Sequence, residues 1–233
     1  MKERERLTKD LTKERRRMAK LPLIVLLSLL FPTTVLSLQN YAATVNMTVG
    51  LVFDNFNEHM PPEAPDGWTV YSGTWRTETD GTTVYEQTKT RDDRTCSIAG
   101  NANWTDYVFR VKIKFVFPPG TPPVGGAILF FRFQNESNYY FLFLSEHNNE
   151  LTLNRRIGGV EEQIGSSVAI TLVENQWYDA RISVQGQIIN VWVDGAQYFI
   201  DQESGGTLTY GAIGVGTRRY SSRFDDVEVS PIT

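Results

Sequence analysis

The chain has few of the residues that most enzyme chemistry relies on. Its one cysteine, Cys96, rules out an intrachain disulfide, so burial alone must hold the core together. The two histidines, His59 and His147, lie in polar, loop-like stretches far from Cys96 in sequence. That leaves the thiol without an activating base and marks Cys96 as a small buried or strand residue. There is no glycine-rich phosphate loop, no Cys/His metal spacing, no Ser/His triad signature and no internal repeat.

Positive charge is scarce beyond the first twenty residues. Residues 1–20 carry nine Lys/Arg against four Asp/Glu, and the remainder carries 14 against 23, a net of −9. An acidic body lacks the cationic footprint that phosphate binding needs, which excludes nucleic acid as a partner. The longest apolar run, Leu21-Pro-Leu-Ile-Val-Leu-Leu-Ser-Leu-Leu-Phe31, matches a secretory signal core and is short for a membrane span. Pro32 and the small Ser37 follow it, where a signal peptidase could cut. Residues 1–20 then form a basic head and residues 21–38 a signal peptide core. Met18 is an alternative start that would give a compact signal peptide. If the head is real and stays in the cytoplasm, residues 21–38 are instead an uncleaved anchor, the chain's only contact with a membrane. Either way the expected location is extracellular or at the cell surface. Residues 39–50 read as a linker, and 51–233 as one domain.

Strand signals, by contrast, are plentiful. In Asp106-Tyr-Val-Phe-Arg-Val-Lys-Ile-Lys-Phe, Tyr107, Phe109, Val111, Ile113 and Phe115 share one face, and Arg110, Lys112 and Lys114 the other. Further strands are expected at 68–75, 84–87, 127–134, 139–146, 151–157, 177–185, 188–194, 197–201, 212–216 and 223–230. Asp80-Gly81, Asn148-Asn149, Gly158-Gly159, Gly186 and Asp194-Gly195 supply turn residues between them. The prolines of residues 117–126 remove backbone donors and mark a loop. Many short antiparallel strands at this spacing imply an all-β sandwich or jelly roll.

Several motifs in order, Asp54-Asn-Phe, Gly67-Trp-Thr-Val, Ala99-Gly-Asn-Ala-Asn-Trp-Thr-Asp-Tyr, Phe131-Arg-Phe-Gln, Asn138-Tyr-Tyr-Phe-Leu, Val191-Trp-Val-Asp-Gly and Phe224-Asp-Asp-Val, resemble the concanavalin A-like lectin/glucanase superfamily. The likeness is to its laminin-G-like and keto-disaccharide-hydrolase-like branches and covers about residues 51–230. It implies two stacked antiparallel sheets with oligosaccharide held on a concave face or its rim. It also implies that the first and last strands lie side by side, with a calcium ion commonly close by. Asp54, Asp225 and Asp226 resemble its ligands; the competing reading has them capping turn amides or pairing with Arg223.

Strict alternation puts Leu129, Phe131 and Phe133 in the core, with Ile128, Phe130 and Arg132 opposite. Likewise it turns Tyr140, Leu142 and Leu144 inward and Tyr139, Phe141 and Phe143 outward. Arg132, Tyr139, Arg181, Asn190 and Trp192 are then expected to share one solvent-facing sheet. There they would offer aromatic plates to sugar rings and forked donors to hydroxyls or carboxylates. Phe130, Phe141 and Phe143 are apolar for a solvated face, so the alternative is that the Pro-rich loop or a partner chain covers it.

Catalytic carboxylates are hard to find. A glucanase of the superfamily places Glu-x-Asp-x-x-Glu on one strand so that its acids enter the cleft together. Here Glu78-Thr-Asp80 runs into Gly81, with Thr at 83, and reads as a turn; Asp226-Val-Glu228 is followed by no third acid. Asn46, Asn103 and Asn135 begin Asn-x-Ser/Thr sequons that export would expose to glycosylation. The sequence therefore predicts an exported module that binds oligosaccharide or polysaccharide without changing it. The alternatives are a glycoside hydrolase with a nonstandard acid pair, and an adhesive surface protein that docks another surface protein.

Overall fold

The computed structural model describes residues 52–91, 93–116 and 125–232. The basic head, the apolar run, the linker with Asn46 and residues 117–124 lie outside the described residues. The described residues form one compact unit.

Among the described residues every regular element is a strand: β1 (Val52–Asp54), β2 (Trp68–Ser72), β3 (Trp75–Asp80), β4 (Thr82–Gln87), β5 (Cys96–Ala99), β6 (Tyr107–Val116), β7 (Gly126–Asn135), β8 (Asn138–Ser145), β9 (Glu150–Ile157), β10 (Val160–Ala169), β11 (Trp177–Gln185), β12 (Ile188–Val193), β13 (Ala196–Glu203), β14 (Ala212–Arg218) and β15 (Ser221–Pro231). They form two antiparallel sheets. The eight-stranded sheet runs β13-β12-β11-β6-β15-β4-β3 with β1 also paired to β15, and the seven-stranded sheet runs β10-β9-β8-β7-β14-β5-β2. The first and last strands are thus neighbours, Asp54 lying opposite Val227, as the superfamily resemblance implied.

The core follows from alternation. Tyr107, Phe109, Val111, Ile113 and Phe115 of β6 are all buried, and so are Ala180, Ile182 and Val184 of β11 and Ile189, Val191 and Val193 of β12. They meet Leu129, Phe131, Tyr140, Leu142 and Leu144 from the other sheet in one cluster. Each such aliphatic or aromatic side chain contributes about 1.5–3 kcal/mol by leaving water, enough in sum to make a disulfide unnecessary.

Two breaks in alternation alter the expected layout. The expected single strand 68–75 breaks at Gly73, whose φ is +98° and whose added Cβ would sit 2.8 Å from both Thr95 Cβ and Trp75 Nε1. The chain turns there from the seven-stranded to the eight-stranded sheet, so β2 and β3 belong to different layers. The second break is a bulge in β7 at Arg132, which adopts a positive φ of 46°. Pairing with β8 jumps from Phe131–Tyr140 to Asn135–Asn138. The bulge moves Phe133 out of the inter-sheet core to the opposite face of its sheet and buries Arg132. Gly211, at φ +151°, passes so close to the bulge that a Cβ would come within 2.2 Å of the Arg132 carbonyl carbon.

Glu78 and Asp80 are strand residues of β3, and the turn that the sequence suggested begins only at Gly81. Four strands escaped pattern reading: β1, β3 beyond Trp75, β5 and β10. The edge strand β10 is almost wholly exposed, and β5 is buried on both sides, so neither alternates.

Candidate functional site

The outward face of the seven-stranded sheet carries a second apolar cluster, distinct from the core. Tyr139 and Phe141 of β8 pack there with Phe130 and Phe133 of β7, Cys96 and Ile98 of β5 and Ala212 of β14; half-buried Phe143 adjoins them. Tyr139 stacks on Phe133 at 5.5 Å and meets Phe130 edge-on at 5.1 Å. Cys96 is a buried strand residue whose thiol is pushed well up by burial.

Guanidinium groups cover these rings. Arg94, just before β5, donates to the Tyr139 hydroxyl and lies 5.0 Å from the Phe141 ring centre, while Arg218 at the end of β14 lies 5.5 Å from Phe143. Register brings in two more residues: Arg156 on β9 stands opposite Tyr139, and Glu161 on β10 stands opposite Arg156. The Glu161 carboxylate is then held by Arg94, by Arg156 at 2.9 Å and by Arg218 at 3.5 Å. Burial pushes that carboxyl up, but the Arg94 hydrogen bond and the neighbouring guanidinium charges more than reverse this, so Glu161 sits below the usual carboxylate range. Tyr139 is shifted up, chiefly by burial.

Two open cavities lie over this face. One, of about 570 Å³, is lined by Asp93, Arg94, Phe143, His147, Arg156, Glu161, Arg218 and Arg219 among others. Its neighbour, of about 370 Å³, shares Arg94 and Arg156 and adds Phe130, Phe133, Glu136 and Tyr139. Both lie within the size range of small-ligand sites.

The five residues expected to share a sugar-binding sheet do not meet. Tyr139 is on the cavity-bearing face. Arg181, Asn190 and Trp192 are on the outer face of the other sheet, where the Arg181 guanidinium lies 3.7 Å from the Trp192 ring centre and Asn190 bonds Gln197 and Asp201. A cavity of about 280 Å³ adjoins that stack. Arg132 belongs to neither face: it is 1% exposed and donates to the Thr105 and Leu208 carbonyls and to Asp106. Its own N–H donates to the Tyr107 hydroxyl at 2.8 Å. Arg94, Arg156, Glu161 and Arg218 escaped the sequence reading, because their convergence depends on strand register and on a loop preceding β5.

The carboxylates proposed for calcium are engaged separately. Asp54 accepts from the Phe56 N–H and the Trp68 indole at 2.8 and 2.9 Å. Asp225 accepts from Thr82 and from the Asp226 N–H, and Asp226 pairs with Lys112 at 2.7 Å. Among the described residues no three His, Cys, Asp or Glu converge to hold a metal, and with an ammonium on Asp226 this set does not fit calcium. Asp54 caps a turn, as the competing reading had it. Glu78 and Asp80 are also paired, Glu78 with Arg76 at 2.9 Å and Asp80 with Lys114 and with Arg223 at 3.1 Å. Asn103 is exposed in a turn and Asn135 is exposed at the end of β7, its Oδ1 accepting from Ser137 and Asn138.

Comparison with known proteins places the fold. The sequence model of a family described as a 3-keto-alpha-glucoside-1,2-lyase-like domain matches residues 56–230. No curated protein matches the chain. Among solved structures it is similar to the carbohydrate binding module CBM66 from Bacillus subtilis, with 17% identity and a TM-score of 0.61, over 70% of this chain and 95% of that one. A Bacillus subtilis protein of unknown function with a galectin-like fold gives 14% and 0.58, over 78% and 96%. A Bacillus licheniformis beta-glucanase gives 14% and 0.56, over 78% and 99%. At these identities the likeness concerns the fold, which relatives with quite different roles share.

Proposed function

This chain belongs to the family of 3-keto-alpha-glucoside-1,2-lyase-like domains, and on that premise we propose that it holds a carbohydrate against the outer face of its seven-stranded sheet. The observation that carries the proposal is the aromatic patch of Tyr139, Phe141 and Phe143 roofed by Arg94, Arg156 and Arg218 beside a cavity of about 570 Å³. Tyr139 and Phe141 are buried beneath these guanidinium groups, so the half-buried Phe143 offers the flat apolar plate to a sugar's C–H face, and the guanidinium groups offer fixed pairs of donors to its oxygens. A carbohydrate binding module and a beta-glucanase on the same fold support this choice of ligand. The exported setting, at the cell surface or beyond it, is part of the proposal and rests on residues 21–38.

A glycan array followed by calorimetry tests it. Wild type is expected to retain at least one oligosaccharide class, Arg156→Ala to weaken that binding about tenfold, the loss of one or two charge-assisted hydrogen bonds, and Trp192→Ala to leave it unchanged. Failure to retain any glycan overturns the proposal.

Catalysis is the second reading, favoured by the family description and by His147 lining the same cavity as Glu161. Glu161 is held ionised by its guanidinium partners, which makes it a poor proton donor and leaves His147 to move a proton. Product release from bound glycan by wild type, lost in His147→Ala while binding persists, would promote this reading over the first.

A further inference from the structure

The arrangement of charge within the cavity has a bias that a neutral sugar would not use. Arg94, Arg156 and Arg218 pair with the one carboxylate of Glu161 and Arg219 pairs with Asp93 at the rim; with Glu136 in the adjoining cavity also counted, one positive charge stays uncompensated. This surplus stands in a body that is otherwise acidic, at −9 beyond residue 20. The Nε atoms of Arg94 and Arg156 are buried, yet neither finds a hydrogen-bond partner among the described residues. A buried guanidinium N–H without an acceptor is costly. Glu161, reaching in from the edge strand β10, already occupies one corner of the cluster as an anion would.

We infer that the carbohydrate held here is an acidic one, whose carboxylate or sulfate group docks among Arg94, Arg156 and Arg218, with Glu161 as the internal anion it joins or displaces. The inference rests on the reading of this face as a carbohydrate site and adds the ligand's charge to it. Planar carboxylate and tetrahedral sulfate both match the forked donors of arginine. The sugar ring would then lie against Phe143, the half-buried ring of the patch that lines the cavity, beside the Arg218 guanidinium. Glu161 acts as a competitor in this scheme. Its depressed pKa keeps it charged near neutrality, so the empty site stays partly neutralised and a ligand must outbid one carboxylate.

The test is calorimetry on the full chain with three matched probes: oligogalacturonate, its fully methyl-esterified form and a sulfated oligosaccharide. Wild type is expected to bind at least one acidic probe ten times or more tighter than the ester. That affinity should fall steeply as salt rises from about 50 to about 300 mM, over which the screening length shortens. Glu161→Gln is expected to raise affinity for the acidic probe about threefold or more by removing the competitor, whereas Arg156→Met lowers it about tenfold. A preference for uronate or for sulfate identifies the source of the anion. Equal binding of acid and ester overturns the inference while leaving the carbohydrate site standing, and binding of none overturns both. Because the comparison of acid with ester uses wild type alone, it decides the matter even if a variant misfolds.

Discussion

The two outer faces of the sandwich are built on the same period-two rule and end up opposite in character. On the eight-stranded sheet, outward positions are charged and answer one another across strands. Arg76 and Arg223 hold Glu86, Arg223 and Lys114 hold Asp80, Lys112 holds Asp226, and Arg181 lies on Trp192. On the seven-stranded sheet, outward positions of β7 and β8 are aromatic, and cations come from β9, from the end of β14 and from the loop before β5 to cover them. The first face pairs most of its charges internally, the buried Arg181 Nε beside the smaller cavity of about 280 Å³ being an exception. The second leaves guanidinium donors over a cavity. Alternation decides that a face exists, but what the neighbouring strands and loops contribute decides whether it is a site.

The largest expected effect separates structure from site. Arg132→Met removes a buried guanidinium that holds two carbonyls and Asp106, and should lower the unfolding free energy by about 3 kcal/mol, read from chemical denaturation. A variant as stable as wild type would show the bulge at Arg132 to be supported by other contacts.

The next contrast sets face against face. Arg156→Ala should cost about tenfold in glycan affinity, the loss of one or two charge-assisted bonds, with little change in melting temperature, while Arg181→Ala leaves affinity untouched. The reverse ranking would move the site to the eight-stranded sheet.

A smaller effect comes from pH. The Glu161 carboxyl lies below its ordinary value of 4.5 in the folded chain. Its stabilising contribution is therefore fully present above that value and fades as pH falls through the depressed one. Wild type should exceed Glu161→Gln in stability at pH 7, and the gap should close in acid; a gap independent of pH would mean that the carboxylate charge plays no part in holding β10. Asp225 on the other face has the opposite sign. Burial, first, and the Asp226 carboxylate raise its pKa above 3.8 despite hydrogen bonds from Asp226 N–H and Thr82. Folding thus favours its protonated form, a contribution present in acid and lost as pH rises through the raised value. Asp225→Asn should therefore gain on wild type between pH 4 and pH 7, measured by thermal unfolding at both. Smallest of all, Asn103→Gln and Asn135→Gln should leave stability within about 0.5 kcal/mol, as substitutions at exposed turn positions do.

Much of this molecule was legible in its residues. The inward sets of β6, β8, β11 and β12 follow directly from alternation because each of those strands has one face in the core. The layered fold rests on the same signal, and the family resemblance on an ordered set of short motifs from Asp54-Asn-Phe to Phe224-Asp-Asp-Val. Strands without that asymmetry left no trace: β10, exposed but for Ile164 and the half-buried Val168, and β5, buried on both sides. Arg132 was misplaced because a bulge inverts every position after it, and nothing in Phe131-Arg-Phe announces one. Tyr139 was correctly placed outward, but its expected partners Arg181, Asn190 and Trp192 lie on the other layer.

Sequence by itself determined that this chain stacks two sheets, since period-two burial admits few other solutions, and that it brings aromatic rings to an outward face. Tertiary structure alone decided which layer each outward residue joined and that Arg94, Arg156, Arg218 and Glu161 meet above those rings. The reason is physical: side-chain alternation is local to one strand, whereas strand order, register and the Arg132 bulge come from pairings between residues far apart in the chain.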